Sequence, residues 1–237
     1  METAGDNPES RTQGDRAYEV IRAAIIHWDL EPGSQVSEMQ LAERYGFGRA
    51  PIRRALARLC HEHMIDSVPR RGYIVAPITF AWIQDALGAR LVVEPAIAKS
   101  LATWPDARVA DTLEEINDGC RVDEGPYDSE AIREANHAFH MQLAIGTGNP
   151  RLVEIQRVLL SELERILYSR LVGRETGTVG STYEEYRAII AAIRACDPDA
   201  AEQAAYRHVK HNKDDLINVL TRSENVRMIN LGNHTKS

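Results

Sequence analysis

The sequence predicts a mainly α-helical protein in two parts: a small helical head closed by a β-hairpin, then an antiparallel all-helical bundle. Three observations carry this expectation. Apolar residues recur at spacings of three and four along most of the chain. Helix start and stop signals return at short intervals. One stretch, "MIDSVPRRGYIVAP", instead holds two short extended runs around a turn. At 237 residues the chain is long enough to bury a substantial core.

The elements follow in order. Residues 1–14, polar and acidic, are expected to be a loose tail without the basic and apolar regions of a secretory signal. "RAYEVIRAAIIHW" puts Tyr18, Ile21, Ile25 and Trp28 on one apolar face, and "EPGS" stops that helix. Ser37 starts a second helix with Gln40 three residues on, a capping box. Gly46 ends it as a left-handed cap. Pro51 sits in the first turn of a third helix that runs to about His63. The hairpin follows, and Pro77 closes the head. Helix, helix, tight turn, helix, hairpin is the order of a winged helix-turn-helix, here residues 15–77.

From 78 to 222 six amphipathic helices are expected, an antiparallel bundle. The first is long and carries Pro95. "EGPYD" breaks the chain between the second and third. A capping box of Ser181 and Glu184 opens the fifth, and Asp197 followed by Pro198 opens the sixth. Residues 223–237 are expected to be a flexible tail. Cys60, Cys120 and Cys196 form no close pair, as reduced thiols of a cytoplasmic protein would. No apolar run approaches the length of a membrane span.

Charge is unevenly placed. The net charge is −7, yet residues 44–75 hold seven arginines against Glu62 and Asp66. A basic segment inside an acidic chain points to a local polyanion site. The arginines fall on the third helix and the hairpin tip, the parts of a winged helix-turn-helix that meet phosphates and base edges. A solvated charged face is the plainer alternative. It leaves the turn glycine, the helix-opening proline and the hairpin arginines as coincidences.

"LAERYGFGRAPIRRALARL" with "PRRGYIVAPI" resembles the DNA-binding domain of GntR-type bacterial transcription regulators. "RLVVEPAIAKSLA", "NHAFHMQLAIGTGNPRL" and "YEEYRAIIAAIRACDPDAA" resemble the all-helical FCD domain of their FadR-like branch. The resemblance spans residues 16–222. It implies a homodimer on a palindromic DNA operator, a repressor controlled by a small-molecule effector in the helical domain. By motif position, Arg49 and Arg53 would read the major groove, where an Arg fork can bond guanine O6 and N7 together. Arg44 and Arg58 would hold phosphates. Arg70, Arg71 and Gly72 would form the wing. Two departures touch the recognition helix. Gly48 and Ala50 stand where Ser or Thr is common, and Arg54 stands where Glu is common, so phosphate contacts gain weight.

In the helical part Asn136 and His140 are four apart and share a helix face. The resemblance places Asp-x-x-Phe-His here, with two later histidines completing a divalent-metal site. One of these falls on His208; the other falls on Tyr186. An amide oxygen and a neutral phenol are weak ligands compared with a carboxylate and an imidazole. The expectation is therefore a metal-free polar pocket floor of Asn136, His140, Tyr186 and His208. A divalent ion such as Zn or Ni on Asn136, His140 and His208 is the alternative, and with it a metal-sensing regulator. His137 and His211 are turned away by helix geometry. Arg90 matches a cavity-facing family position; it either binds a carboxylate effector bidentately or pairs with Glu94. A metal-dependent enzyme on the bundle is the remote alternative. It would need an activated water and a general base, and would leave the DNA-binding head unexplained. No catalytic residue is expected.

Overall fold

The computed structural model describes residues 12–104, 106–119, 130–167 and 179–222. They form two compact units, divided after Thr79.

The head begins with α1 (Gln13–Ile26), three residues before the Arg16 at which the sequence pattern starts. Thr12 and Asp15 form a reciprocal capping box that fixes this start. Tyr18, Ile21 and Ile25 are buried. Trp28 lies beyond the helix end, at a φ of 64°. α2 (Glu38–Tyr45) has the expected Ser37–Gln40 box and ends at Gly46 with φ 72°. α3 (Arg49–His61) starts after Gly48, which offers no side chain to cap it. The hairpin pairs β2 (Ile65–Val68) with β3 (Gly72–Val75). A further strand, β1 (Gln35–Val36), pairs with the other side of β3, giving the order β1-β3-β2. Ile21, Ile25, Leu41, Ile52, Leu56, Leu59, Met64, Ile65 and Val75 make the head core.

The second unit consists of α4 (Phe80–Thr103), α5 (Ala107–Gly119), α6 (Glu130–Gly146), α7 (Pro150–Leu167), α8 (Val179–Arg194) and α9 (Pro198–Arg222). Pro95 is accommodated inside α4. α8 starts two residues before Ser181, so that residue lies within the helix rather than capping it. Asp197 caps α9 as expected, accepting from the Ala200 amide at 3.0 Å. The "EGPYD" break, Cys120 and both expected tails beyond residues 12 and 222 lie outside the described residues; Cys60 and Cys196 are free thiols. α4 packs against α9, α7, α8 and α6. Its Ile97, Ala98 and Leu101 join Leu113, Phe139, Leu143, Tyr186, Ile189 and Ile193 in one apolar core. No described helix is long and apolar enough to cross a membrane.

Candidate functional site

On α3, a rotation of about 100° per residue sets Arg49 and Arg53 on one face and Arg54 and Arg58 on another. Arg49 is exposed at the first position of the helix. Arg53 donates to Glu38 through Nε at 3.0 Å and Nη2 at 2.9 Å, while 68% of its side chain remains exposed. Tyr73 of β3 reaches the same carboxylate at 3.4 Å. Glu38 thus ties the recognition helix to α2 and the wing. The Arg53 hydrogen bonds hold its carboxyl below the usual range.

Arg58 turns toward α1. Its guanidinium lies 3.6 Å from the centre of the Tyr18 ring, and its Nε donates to buried Glu62 at 3.1 Å. Tyr18 donates its hydroxyl to the same Glu62 at 2.7 Å. Arg58 therefore helps to lock α1 onto α3. Arg54 is exposed and runs past Gly14, where an added Cβ would stand 3.2 Å from its Nε. Arg44 donates to the Asp29 carbonyl at 3.3 Å. Arg70 and Arg71 are exposed in the hairpin turn, Arg70 at φ 64°. Gly72 follows at φ 88°, and a Cβ there would meet the Val36 carbonyl oxygen at 2.8 Å. This is why the wing needs glycine at that position.

In the helical unit, five helices send polar side chains into the interior beside the apolar core. Arg90 and Glu94 come from α4, Asn136 and His140 from α6, Gln156 from α7, Tyr186 from α8 and His208 from α9. Arg90, Glu94, Gln156, His140, Tyr186 and His208 are all buried. Tyr186 donates to Asn136 Oδ1 at 2.6 Å, and its hydroxyl lies 3.1 Å from His140 Nε2. Its ring stacks on Phe139 with centroids 3.6 Å apart. His140 Nε2 and His208 Nε2 approach to 3.3 Å. The sequence-predicted residues are thus brought together.

Of the two sequence alternatives for Arg90, the structure shows the pair with Glu94. It pairs with Glu94, Nε at 2.5 Å and Nη2 at 3.2 Å. Glu94 occupies the Nε–Nη2 edge of the guanidinium and leaves its Nη1 side unengaged. Its Nη1 is buried without a hydrogen-bond partner, as is Gln156 Oε1. Glu94 also accepts from Gln156 at 3.3 Å and lies 3.0 Å from His140 Nδ1, off the direction of a good hydrogen bond. Burial alone would raise the Glu94 carboxyl, but Arg90 and His140 hold it well below the usual range. Burial pushes His140 down to about 4 despite Glu94.

Three neighbours escaped the sequence reading. Glu185 on α8 pairs with His208 Nδ1 at 2.8 Å and His211 Nδ1 at 2.6 Å. Asn212 donates to His208 Nε2 at 3.0 Å. Gln156 is the third. Asn212 had a usable signal, four residues after His208 on one helix; Glu185 and Gln156 had none. His137 faces Glu164 at 2.7 Å. Among the described residues no group of three or more His, Cys, Asp and Glu is placed to hold a metal ion.

The FCD domain profile matches residues 85–211, and that of the bacterial regulatory proteins of the gntR family matches residues 13–75. The chain belongs to the GntR family. Its head is the winged helix-turn-helix of these transcription regulators and its helical unit is their FCD domain. The galactonate operon transcriptional repressor of Escherichia coli is 29% identical over 81% of this chain and 91% of its own length. The repressor GlaR of the same organism is 24% identical over 81% and 90%. The solved structure of E. coli McbR/YncC superposes with a TM-score of 0.72 at 19% identity, covering 88% of this chain and 98% of that one. A GntR regulator from Rhodococcus sp. RHA1 gives 0.67 at 20% identity, over 88% and 99%. At such identities these two structures speak for the fold.

Proposed function

We propose that this GntR regulator is a ligand-responsive repressor that binds a palindromic operator as a homodimer. A small organic acid or similar anion in the helical domain controls it. The observation that carries the effector reading is the polar cluster inside the FCD core, with the buried Arg90 Nη1 lacking an acceptor. An unpartnered guanidinium N–H in an apolar interior favours a ligand oxygen, above all a charged one. Asn136, His140, Tyr186 and His208 supply further hydrogen bonds beside it. Two relatives are named as repressors, one of them of a galactonate operon, and galactonate is an organic acid. On the head, the exposed Arg49 and Arg53 share one face of the recognition helix and serve as base readers, with Arg44, Arg54, Arg70 and Arg71 available for phosphates.

The test has two arms. A labelled fragment from upstream of the protein's own gene is titrated at low salt. Arg49→Ala and Arg53→Ala should each weaken binding by about 10- to 100-fold, as expected for a lost base contact. No binding by the native protein, or unchanged binding by both variants, refutes the head assignment. In the second arm a panel of organic acids is screened by thermal shift. A true effector at about 100 times its Kd adds about 2.7 kcal/mol. The double variant Arg90→Met Glu94→Gln, which removes both charges together, should lose that shift; equal shifts in both proteins refute the anion role.

A further inference from the structure

His140 and His208 are oriented as the ligands of an ion are. Each turns Nδ1 to a carboxylate, His140 to Glu94 at 3.0 Å and His208 to Glu185 at 2.8 Å. The Glu185 carboxylate keeps the proton on His208 Nδ1 and leaves its Nε2 as the lone-pair nitrogen, whereas His140 Nδ1 makes no hydrogen bond to Glu94. The two Nε2 atoms then converge at 3.3 Å. The family pattern implies a divalent ion at this point, but the remaining donors do not fit one. The oxygen donors are a neutral amide and a neutral phenol, Asn136 and Tyr186. The two Nε2 atoms already face hydrogen-bonding groups of the chain: the Tyr186 hydroxyl at 3.1 Å from His140, and the Asn212 amide at 3.0 Å from His208. The same hydroxyl donates its one proton to Asn136 at 2.6 Å, so it bridges by accepting from His140 Nε2–H.

We infer that the Tyr186 hydroxyl takes the place of the ion, bridging Asn136 to His140, so that the helical domain is held together without metal and one substitution, Tyr186→His, turns it into a transition-metal site. Reach explains why one residue does this. A tyrosine hydroxyl extends beyond the position of a histidine Nε2 by about 2 Å, roughly one zinc–nitrogen bond. On the same backbone, the imidazole of Tyr186→His stops one coordination bond short of where the hydroxyl now sits. The gap falls next to His140, His208 and Asn136, giving three imidazoles and one oxygen, an ordinary zinc donor set in number. Stacking on Phe139, at 3.6 Å and an interplanar angle of 9°, fixes the direction in which residue 186 points. The effector consequently meets hydroxyl, imidazole and amide groups rather than a Lewis acid.

The experiment uses the full-length untagged protein, stripped with chelator and exchanged into clean buffer. Zn²⁺ and Ni²⁺ are titrated into the native chain, Tyr186→His, and Tyr186→His with His208→Ala, by competition with a chromogenic chelator. The native chain should show no stoichiometric site. Tyr186→His should bind about one ion per chain, at least about 100-fold tighter than the native chain, since a directly bound imidazole is worth no less than an outer-shell partner. The added His208→Ala should abolish that gain. The inference is overturned if the native chain holds about one ion that a His140→Ala His208→Ala variant loses. It is equally overturned if Tyr186→His folds, with native helicity, and binds no more tightly than the native chain. Tyr186→Phe provides a readout that does not depend on the histidine variant folding. It keeps the stacked ring and deletes only the bridge, so it should melt lower in chelator; an unchanged melting temperature overturns the bridging role.

Discussion

The Arg90–Glu94 pair gives the sharpest energetic prediction. Both side chains are buried, 1% and 3% exposed, and they pair four residues apart on one helix. Arg90→Met would leave the Glu94 carboxylate inside the bundle with only Gln156 and a neutral His140 beside it. Glu94→Gln would leave the guanidinium without its counter-charge. Removing one partner of a buried ion pair costs about 3–5 kcal/mol, because the other charge stays desolvated and uncompensated. Replacing both by neutral side chains of similar volume is often close to neutral. For a unit of this size each single variant should lower the melting temperature of the helical domain by roughly 6–20 °C. The double variant Arg90→Met Glu94→Gln should recover most of that loss. Calorimetry on the native chain, both singles and the double gives the coupling energy directly. Single losses that simply add in the double would refute the reasoning. They would mean that the two residues act through packing with other groups and not through each other's charge.

Two further outcomes follow from the geometry. His140 is held down to about 4 by burial, against an ordinary 6.5, so the unfolded chain binds the extra proton first. Its contribution is complete above pH 6.5 and is lost as the pH falls toward 4, at most about 3 kcal/mol. Thermal melts of the helical domain between pH 7 and 4.5 should show that decline, and His140→Gln should flatten it; a native profile already flat over that range contradicts it. Glu94, depressed by its neighbours, adds a separate loss only below the ordinary carboxylate value. In the head, Gly72→Ala forces a Cβ to 2.8 Å from the Val36 carbonyl at a φ of 88°. The left-handed backbone alone costs roughly 1–2 kcal/mol, before the clash is relieved. Operator binding should weaken and the head should melt lower while the helical domain melts unchanged; native-like melting and binding would show that the wing does not depend on this close approach.

What could be read in the sequence was what local chemistry encodes. Ser37 with Gln40, Gly46, and Asp197 before Pro198 act within one turn of their helices, and all three hold in the structure. Asn136 and His140 share a face because four residues make about one helical turn. β1 was not legible: its two residues carry no periodicity, and only the partner strand β3, nearly forty residues later, makes them a strand. Ser181 had the pattern of a cap, yet α8 begins before it.

The sequence by itself determined the helical period, the caps, the hairpin, the basic patch and the family they identify, because these are set by residues near one another along the chain. Only the tertiary structure decided how the charges are spent. It turned Arg58 from the recognition face to Tyr18 and Glu62, committed the fork of Arg90 to Glu94, and brought Glu185 and Asn212 to His208. Such choices depend on which helices meet in the bundle. A buried polar group must find whatever partner packing places within about 3 Å, and that distance is not encoded in any local spacing.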